Sequence, residues 1–414
     1  MRRPLRLVLR DRTAGLPPPF WFLWAGMLLN ALGGFLYTFL SLYLTRTRGL
    51  SIEQAGLIGS LFGIGGLCSG PLGGALADRI GRRPTLLLST GLTAAALLQL
   101  GWARAPLYIG LSALCVGLLA GMWRPAAYAA AADLVAPAER TRAYALLYWA
   151  TNLGFAGASV LAGALARIDM WLLFVGDAAT TFLFGVLVLF GVPETRPVTD
   201  EQGPPRSLLA PYRDAVFVAF ALAQLPLGWM FWQANVTLPL DMGGHGVSLA
   251  RFGQLISLNG ILIVLLQPLA VTYVVRLRRS RALALGALLI GLGFFLPALR
   301  PTVPVYAAGI VVWTLGEIVV SAVTPALIAD LAPTELRGSY QGGFQLCWGA
   351  ASLLGPALGS LVLGRLGGTT LWGLCLVLGA ASAISQLAQA PARRARFAAQ
   401  PEYEAALRRE DGLP

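Results

Sequence analysis

Ala132-Asp133-Leu134-Val135-Ala136-Pro137-Ala138-Glu139 and Ala329-Asp330-Leu331-Ala332-Pro333-Thr334-Glu335 are two versions of one phrase in a single chain. The Ala-Asp-Leu triplets recur at an offset of 197 residues; Pro137, Glu139 and Tyr144 then meet Pro333, Glu335 and Tyr340 at 196, which implies a one-residue gap between them. Upstream, Ser51, Gly56 and Gly63 meet Ser248, Gly253 and Gly260 at 197, and Arg82-Arg83 meet Arg278-Arg279 at 196. Downstream, Gly163 meets Gly359 at 196. In a chain this rich in Gly and Ala a single match means little, but separated blocks sharing one offset mark an internal duplication.

Composition says where such a duplicated unit would fold. Of 414 residues, 57% are hydrophobic and 12% charged, and the mean hydropathy is +0.69; soluble chains run at about 45–50% apolar and about 25% charged. A water-soluble enzyme, a disordered chain and a nucleic-acid-binding protein are excluded, despite a net charge of +12. A helix crossing about 30 Å of hydrocarbon needs roughly 20 apolar residues. Runs of that kind lie near 20–45, 52–77, 84–103, 106–133, 143–166, 171–192, 214–240, 251–275, 281–299, 303–330, 340–364 and 369–390. The expectation is an all-α polytopic membrane protein of twelve transmembrane helices, in two parallel six-helix halves.

All 31 positive residues are Arg, clustered between the apolar runs. Arginine-rich short loops stay on the cytoplasmic side. With the N-terminus inside, the cytoplasmic segments hold 23 of them, the external segments 7, and Arg124 lies within span 4. Both termini are therefore expected in the cytoplasm. The first apolar run lacks the short core and A-x-A site of a cleavable signal peptide, and is expected to remain as span 1. Residues 193–213 carry Pro197, Pro204, Pro205 and Pro211 with mixed charge, which reads as a linker. The expected organisation is an N-terminal half over 1–192, a cytoplasmic linker over 193–213, a C-terminal half over 214–390 and a cytoplasmic tail over 391–414. Cys68, Cys115, Cys347 and Cys375 sit apart in apolar runs, without metal-ligand or disulfide spacing. They read as small hydrophobes.

Between spans 2 and 3 the chain reads Gly73-Gly74-Ala75-Leu76-Ala77-Asp78-Arg79-Ile80-Gly81-Arg82-Arg83-Pro84. Gly74 allows close helix approach, Gly81 a tight turn, and Asp78 can accept from exposed amides at a helix N-terminus. The loop resembles the most specific signature of the major facilitator superfamily, Gly-x-Leu-Ala-Asp-Arg-x-Gly-Arg-Arg, and the whole chain looks most like the twelve-span drug:proton antiporters. Gly349, Gly355-Pro356 and Gly359 in span 11 are similar to the glycine-proline motif that these antiporters carry in span 5. The resemblance implies a gate motif of Gly74, Asp78, Arg79, Gly81, Arg82 and Arg83 that locks the inner side in the outward-open state. It also implies a central cavity lined by spans 1, 4, 7 and 10 and flanked by span 11.

Charges inside spans cost about 2.5–3.5 kcal/mol at the helix centre and usually face a cavity or a partner. Glu317 falls near mid-depth of span 10, Asp177 in the outer half of span 6 and Arg124 in span 4; Asp133, Asp241 and Asp330 fall at span ends. Proton coupling is therefore assigned to Glu317, with Asp177 second. Helical spacing together with the resemblance gives Asn30, Tyr37, Arg124, Tyr128, Gln224, Trp232, Asn235, Trp313, Gln341, Gln345 and Trp348 as cavity candidates. Glu317 and Arg124 could pair across the cavity, or Arg124 could hold an anionic substrate group while Glu317 takes up a proton, or Glu317 could simply bond neighbouring helices. His245, between glycines in an external loop, is expected to be solvated.

The function expected is secondary active transport, proton-coupled export of an amphipathic organic compound or drug by alternating access. The alternative is an uptake symporter or facilitator for a polar metabolite. No catalytic residue, metal or cofactor is expected. The expected partners are a small-molecule substrate, protons and the bilayer of the cytoplasmic membrane, with no nucleic acid, and the chain is expected to be a monomer.

Overall fold

The computed structural model describes residues 15–34, 40, 43–50, 52–196, 209–274 and 277–398. Tyr37, the proline-rich centre of the linker and both chain ends lie outside these residues. Among those described there is no strand. The helices are α1 (Pro18–Leu32), α2 (Ile52–Ile80), α3 (Arg82–Trp102), α4 (Pro106–Leu134), α5 (Arg140–Ile168), α6 (Trp171–Gly191), α7 (Ala215–Gln233), α8 (Leu249–Val274), α9 (Arg279–Leu299) and α10 (Val303–Leu331). The run Arg337–Ala388 is broken at Gly367, whose φ of +83° leaves the helical region, and is treated as α11 (337–366) and α12 (368–388). A short helix Thr237–Gly244 follows α7, and α13 (Ala390–Ala398) ends the described chain.

These bounds carry the duplication further than residue identities do. Each of α7 to α12 begins 197 residues after its counterpart among α1 to α6, and α9, α10 and α12 also end 197 residues after α3, α4 and α6. The turns Pro137–Glu139 and Thr334–Leu336 keep the same spacing. The one-residue gap implied by matching prolines and Arg pairs is therefore absent. The structural equivalents are Arg82 with Arg279, Asp133 with Asp330, and Arg140 with Arg337.

Nine helical stretches among the described residues are long and apolar enough to cross a membrane; one of them contains α11 and α12 together. Large apolar side chains such as Leu107, Phe190, Leu265 and Ile384 are exposed, as expected where the solvent is lipid rather than water. Proline at the first turn starts α1, α4 and α10, where the missing N–H is not needed. Gly81, with φ of +110°, makes the corner between α2 and α3. A Cβ there would also sit 2.3 Å from Glu194 Oε2.

Within each set of six, α2 packs on α4, α3 on α4 and α6, and α1 on α5 and α6; α9 packs on α10 and on the α11–α12 run, α7 on that run, and α8 on α10. The sets meet through α2 with α11 and through α5 with α8 and α10. At the first seam both helices present Gly-x-x-x-Gly. A Cβ on Gly74 would lie 2.2 Å from Gly338 O, and one on Gly342 2.2 Å from Gly70 O, so the backbones themselves are in contact.

The seam opens toward the far end. Gly63 and Gly59 continue the face of α2 that carries Gly70 and Gly74, and nothing lies within 4 Å of a Cβ at either. Leu353, three turns beyond Gly342 on the same face of α11, is 70% exposed. The α5–α8 seam behaves alike: Trp149 Nε1 donates to Val264 O at 2.8 Å, while Ala156 on α5 is exposed and Gly260 and Gly253 on α8 face open space. One end of the bundle is shut and the other is splayed.

Two expectations shift. Residues 391–398, expected as tail, lie in α13, whose Phe397 and Arg393 are buried. His245 is 42% exposed but not simply solvated: its Nδ1 lies 2.8 Å from Asp241 O.

Candidate functional site

The shut end is built on acids at helix ends. Asp78, one turn from the end of α2, is 1% exposed; its Oδ1 accepts from Gly338 N–H at 3.0 Å and its Oδ2 from Ser339 N–H at 2.7 Å. Those amides open α11, so the carboxylate of one set caps a helix of the other, where the helix dipole adds to the hydrogen bonds. Arg82, fully buried, approaches Asp78 at 3.5 Å, donates through Nε to Asp133 Oδ2 at 3.1 Å and through Nη2 to Thr334 O at 3.0 Å.

Around this cap the duplication produces a doubled ion lock. Asp133 binds Arg82 of its own set and Arg337 of the other. Asp330 binds Arg279 of its own set and Arg140 of the other. Each carboxylate thus holds one guanidinium from each side of the seam, through equivalent residues. The cap is not doubled: Val275 stands 197 residues after Asp78. Glu194 secures the start of α3 instead, accepting from Arg82 N–H at 2.9 Å and Arg83 N–H at 3.1 Å, while Arg83 Nη2 donates to Leu189 O and Arg79 O accepts from Arg196.

Above the lock, Glu317 of α10 takes a hydrogen bond from Tyr148 Oη on α5 at 2.5 Å and from Asn259 Nδ2 on α8 at 2.7 Å. Asn259 Nδ2 also reaches Thr314 Oγ1 at 3.0 Å. Both carboxyl oxygens are thereby filled by neutral donors, one of them from across the seam. Arg124 is not among them. It is exposed, its guanidinium stands 5.7 Å from the Trp123 ring centroid, and among the described residues no carboxylate comes within ion-pair distance of it.

The other cavity candidates separate. Gln224 is buried and donates to Thr324 Oγ1, Gln341 is buried and donates to Pro325 O, and Trp313 packs edge-on against Phe294 at 4.3 Å. These three join helices within the second set. Asn30 accepts from Thr181 Oγ1 on α6 at 3.0 Å, and Asp177 is buried one turn from Thr181. Trp348 meets Phe231 edge-on at 5.4 Å, Trp232 lies over Gly355, Gln345 lies against Gly70, and Tyr128 packs on Tyr144. Asn235 is exposed at the splayed end. Tyr148, Asn259 and Trp149 were not singled out in the sequence, although Tyr144, Tyr148 and Asn152 form a visible stripe at four-residue spacing. Among the described residues no group of three or more His, Cys, Asp or Glu is placed to hold a metal ion.

The sequence profile described as Major Facilitator Superfamily matches residues 23–269 and 220–410. The chain belongs to this superfamily. Its transporters include YttB of Bacillus subtilis, an uncharacterized MFS-type transporter 29% identical over 349 residues, 83% of this chain and 87% of the relative. The multidrug resistance protein MdtH of Edwardsiella ictaluri is 28% identical over 372 residues, 88% of either chain. The fold is shared with the crystal structure of a bacterial homologue of the iron transporter ferroportin in its outward-facing state, at a TM-score of 0.76 and 18% identity, covering 90% of this chain and 99% of that one. Membership and fold make this MFS chain a multi-pass membrane transporter rather than an enzyme, with a small-molecule substrate.

Proposed function

We propose that the protein is a proton-coupled exporter of an amphipathic organic compound, resident in the cytoplasmic membrane with both termini inside and working by alternating access. The twelve helices are read as twelve crossings, with 1–192 and 214–390 as the two moving halves joined by the 193–213 linker. With the arginine-rich ends inside, the shut end is cytoplasmic and the splayed end external. This is an outward-facing arrangement, the state named for the ferroportin homologue of like fold. Similarity to a multidrug resistance protein supports the drug class.

The observation that carries the reading is the Glu317 carboxyl, bonded across the seam by Tyr148 where the shut end gives way to the open one. A carboxylate accepts from both Tyr148 and Asn259. Once protonated it must donate as well, and it faces two donors, so one bond must turn or break, and the charge-assisted character of the remaining one is lost. A proton arriving from outside therefore loosens a link that holds the outward-facing state, and the return to the cytoplasm releases it.

Glu317→Gln imitates the protonated form. In proteoliposomes, with a transported compound found by thermal-shift screening, this variant is expected to bind and exchange that compound without accumulating it against a gradient. Full gradient-driven accumulation by Glu317→Gln would remove Glu317 from the coupling role and put Asp177 in its place.

A further inference from the structure

We infer that Arg124 is the recognition point for an anionic group, so that the exported compound is an amphipathic organic anion; this rests on the export reading above. The first ground is the position of Arg124 around α4. Leu107, Tyr108, Leu111 and Cys115 form the exposed apolar face of that helix, the face turned to lipid. At about 100° per residue, Arg124 falls on the opposite side. The helix is flanked there by neighbours on both sides: a Cβ on Gly117 would lie 2.0 Å from Phe62 O on α2, and Trp123 packs edge-on against Phe184 on α6 at 5.5 Å. A side chain that points inward and is still exposed opens onto space between the two halves, not onto the bilayer.

The second ground is charge. An arginine ten residues from the inner end of its helix, about 15 Å along the axis, is expensive to place in a membrane protein unless it has a partner or a function. No carboxylate of the described chain partners it. Glu317, the nearest mid-depth acid by level, has both oxygens occupied by Tyr148 and Asn259. Among the described residues the lining thus offers one fixed cation and a carboxyl already supplied with donors. The third ground is geometry: the guanidinium carbon stands 5.7 Å from the Trp123 ring centroid on a residue that is exposed, so its N–H fork is within reach of a ligand. That fork matches a carboxylate or sulfonate with two parallel hydrogen bonds, and lysine cannot reproduce it.

The test uses two bicyclic probes of similar size and opposite charge, 2-naphthoate and 1-methylquinolinium, on the purified full-length protein in detergent. Wild type is expected to bind 2-naphthoate, read by titration of its fluorescence and by a rise in melting temperature, at least tenfold more tightly than 1-methylquinolinium. Arg124→Ala should weaken naphthoate binding at least tenfold and leave the melting temperature without ligand unchanged. Arg124→Lys, which keeps the charge and guards against a folding defect, should weaken it at least threefold. Absence of naphthoate binding by wild type, preference for the quinolinium, or equal naphthoate affinity in Arg124→Lys would each overturn the inference. Its failure is separable from that of the export reading, because pH-driven flux of either probe in proteoliposomes, and its loss in Glu317→Gln, are measured independently of which sign is preferred.

Discussion

Asp133 and Asp330 are the residues on which the closed end turns. Asp330 is buried and Asp133 nearly so, its side chain 6% exposed, and each holds two guanidiniums from opposite sides of the seam. Removing one member of a buried ionic cluster costs about 3–5 kcal/mol, since the remaining charges stay buried without compensation. Asp330→Asn is therefore expected to lower the melting temperature in detergent and to let the helix ends at the shut end part, read as lost cross-linking between cysteines placed at 138 and 335. Asp133→Asn should do the same by equivalence. Glu335→Gln, in the loop beside them, should leave the melting temperature near wild type; an Asp330→Asn protein that melts and cross-links like wild type would dismiss the lock. Sequence located these acids at helix ends but not their partners, because ion pairs between residues 190 or 204 apart depend on how the helices dock. The same limit hid Tyr148 and Asn259. A tyrosine or asparagine in an apolar run carries no charge to mark it, and only the meeting of α5, α8 and α10 brings them to Glu317.

At the scale of elements, most apolar runs were legible to within a few residues, since lipid imposes length and composition directly, but the runs near 20–45 and 214–240 overshoot α1 and α7, which end at Leu32 and Gln233. The starts of the inner helices were less so. Arg82, Arg140, Arg279 and Arg337 read as loop residues, yet each opens or enters a helix, because buried acids meet them there. The docking of α13 was not legible at all. Its Arg396 donates to Asp214 Oδ2 at 2.6 Å and to Leu331 O at 2.7 Å, while Asp214 also accepts from Tyr340 Oη and caps α7 through Val216 and Phe217. Partial burial pushes the Asp214 carboxyl up, but the Tyr340 and Arg396 hydrogen bonds outweigh it and hold the pKa below its ordinary value. A depressed carboxylate contributes stability that is present above its unfolded value of about 3.9 and is lost only as pH falls through the folded one. Docking of α13 should accordingly be independent of pH from 8 down to 5, measured as hydrogen exchange of its amides corrected for intrinsic rate. Asp214→Asn should raise that exchange at both pH values, consistent with loss of a charged hydrogen bond of about 1.5–3 kcal/mol. Undocking of the wild-type helix between pH 8 and 5 would contradict the arrangement.

For the whole molecule, the duplication explains why one chain can be shut at one end and splayed at the other. The two sets are built alike, and on the alternating-access reading proposed above the seam rocks about its middle, with the asymmetric elements, the Asp78 cap and the Tyr148–Glu317 bond, deciding which end is closed. On the proposed roles, Glu317 and Arg124 together also fix how much charge a cycle moves. If one proton enters on Glu317 while one monovalent anion leaves from Arg124, two positive charge equivalents move inward. Each is worth about 2.3 kcal/mol per 100 mV, so an inside-negative potential of that size drives export with roughly 4.6 kcal/mol per cycle. A neutral substrate would move one charge under the same proton exchange, and a monovalent cation none. In proteoliposomes preloaded with 2-naphthoate, a potassium diffusion potential imposed with valinomycin should accelerate efflux, and the reversal potential measured against known proton and naphthoate gradients should give a charge-to-substrate ratio of two. A ratio of one would mean that the carboxyl and the cation do not work in the same cycle, and the link between Glu317 and Arg124 through a shared alternating seam would have to be abandoned.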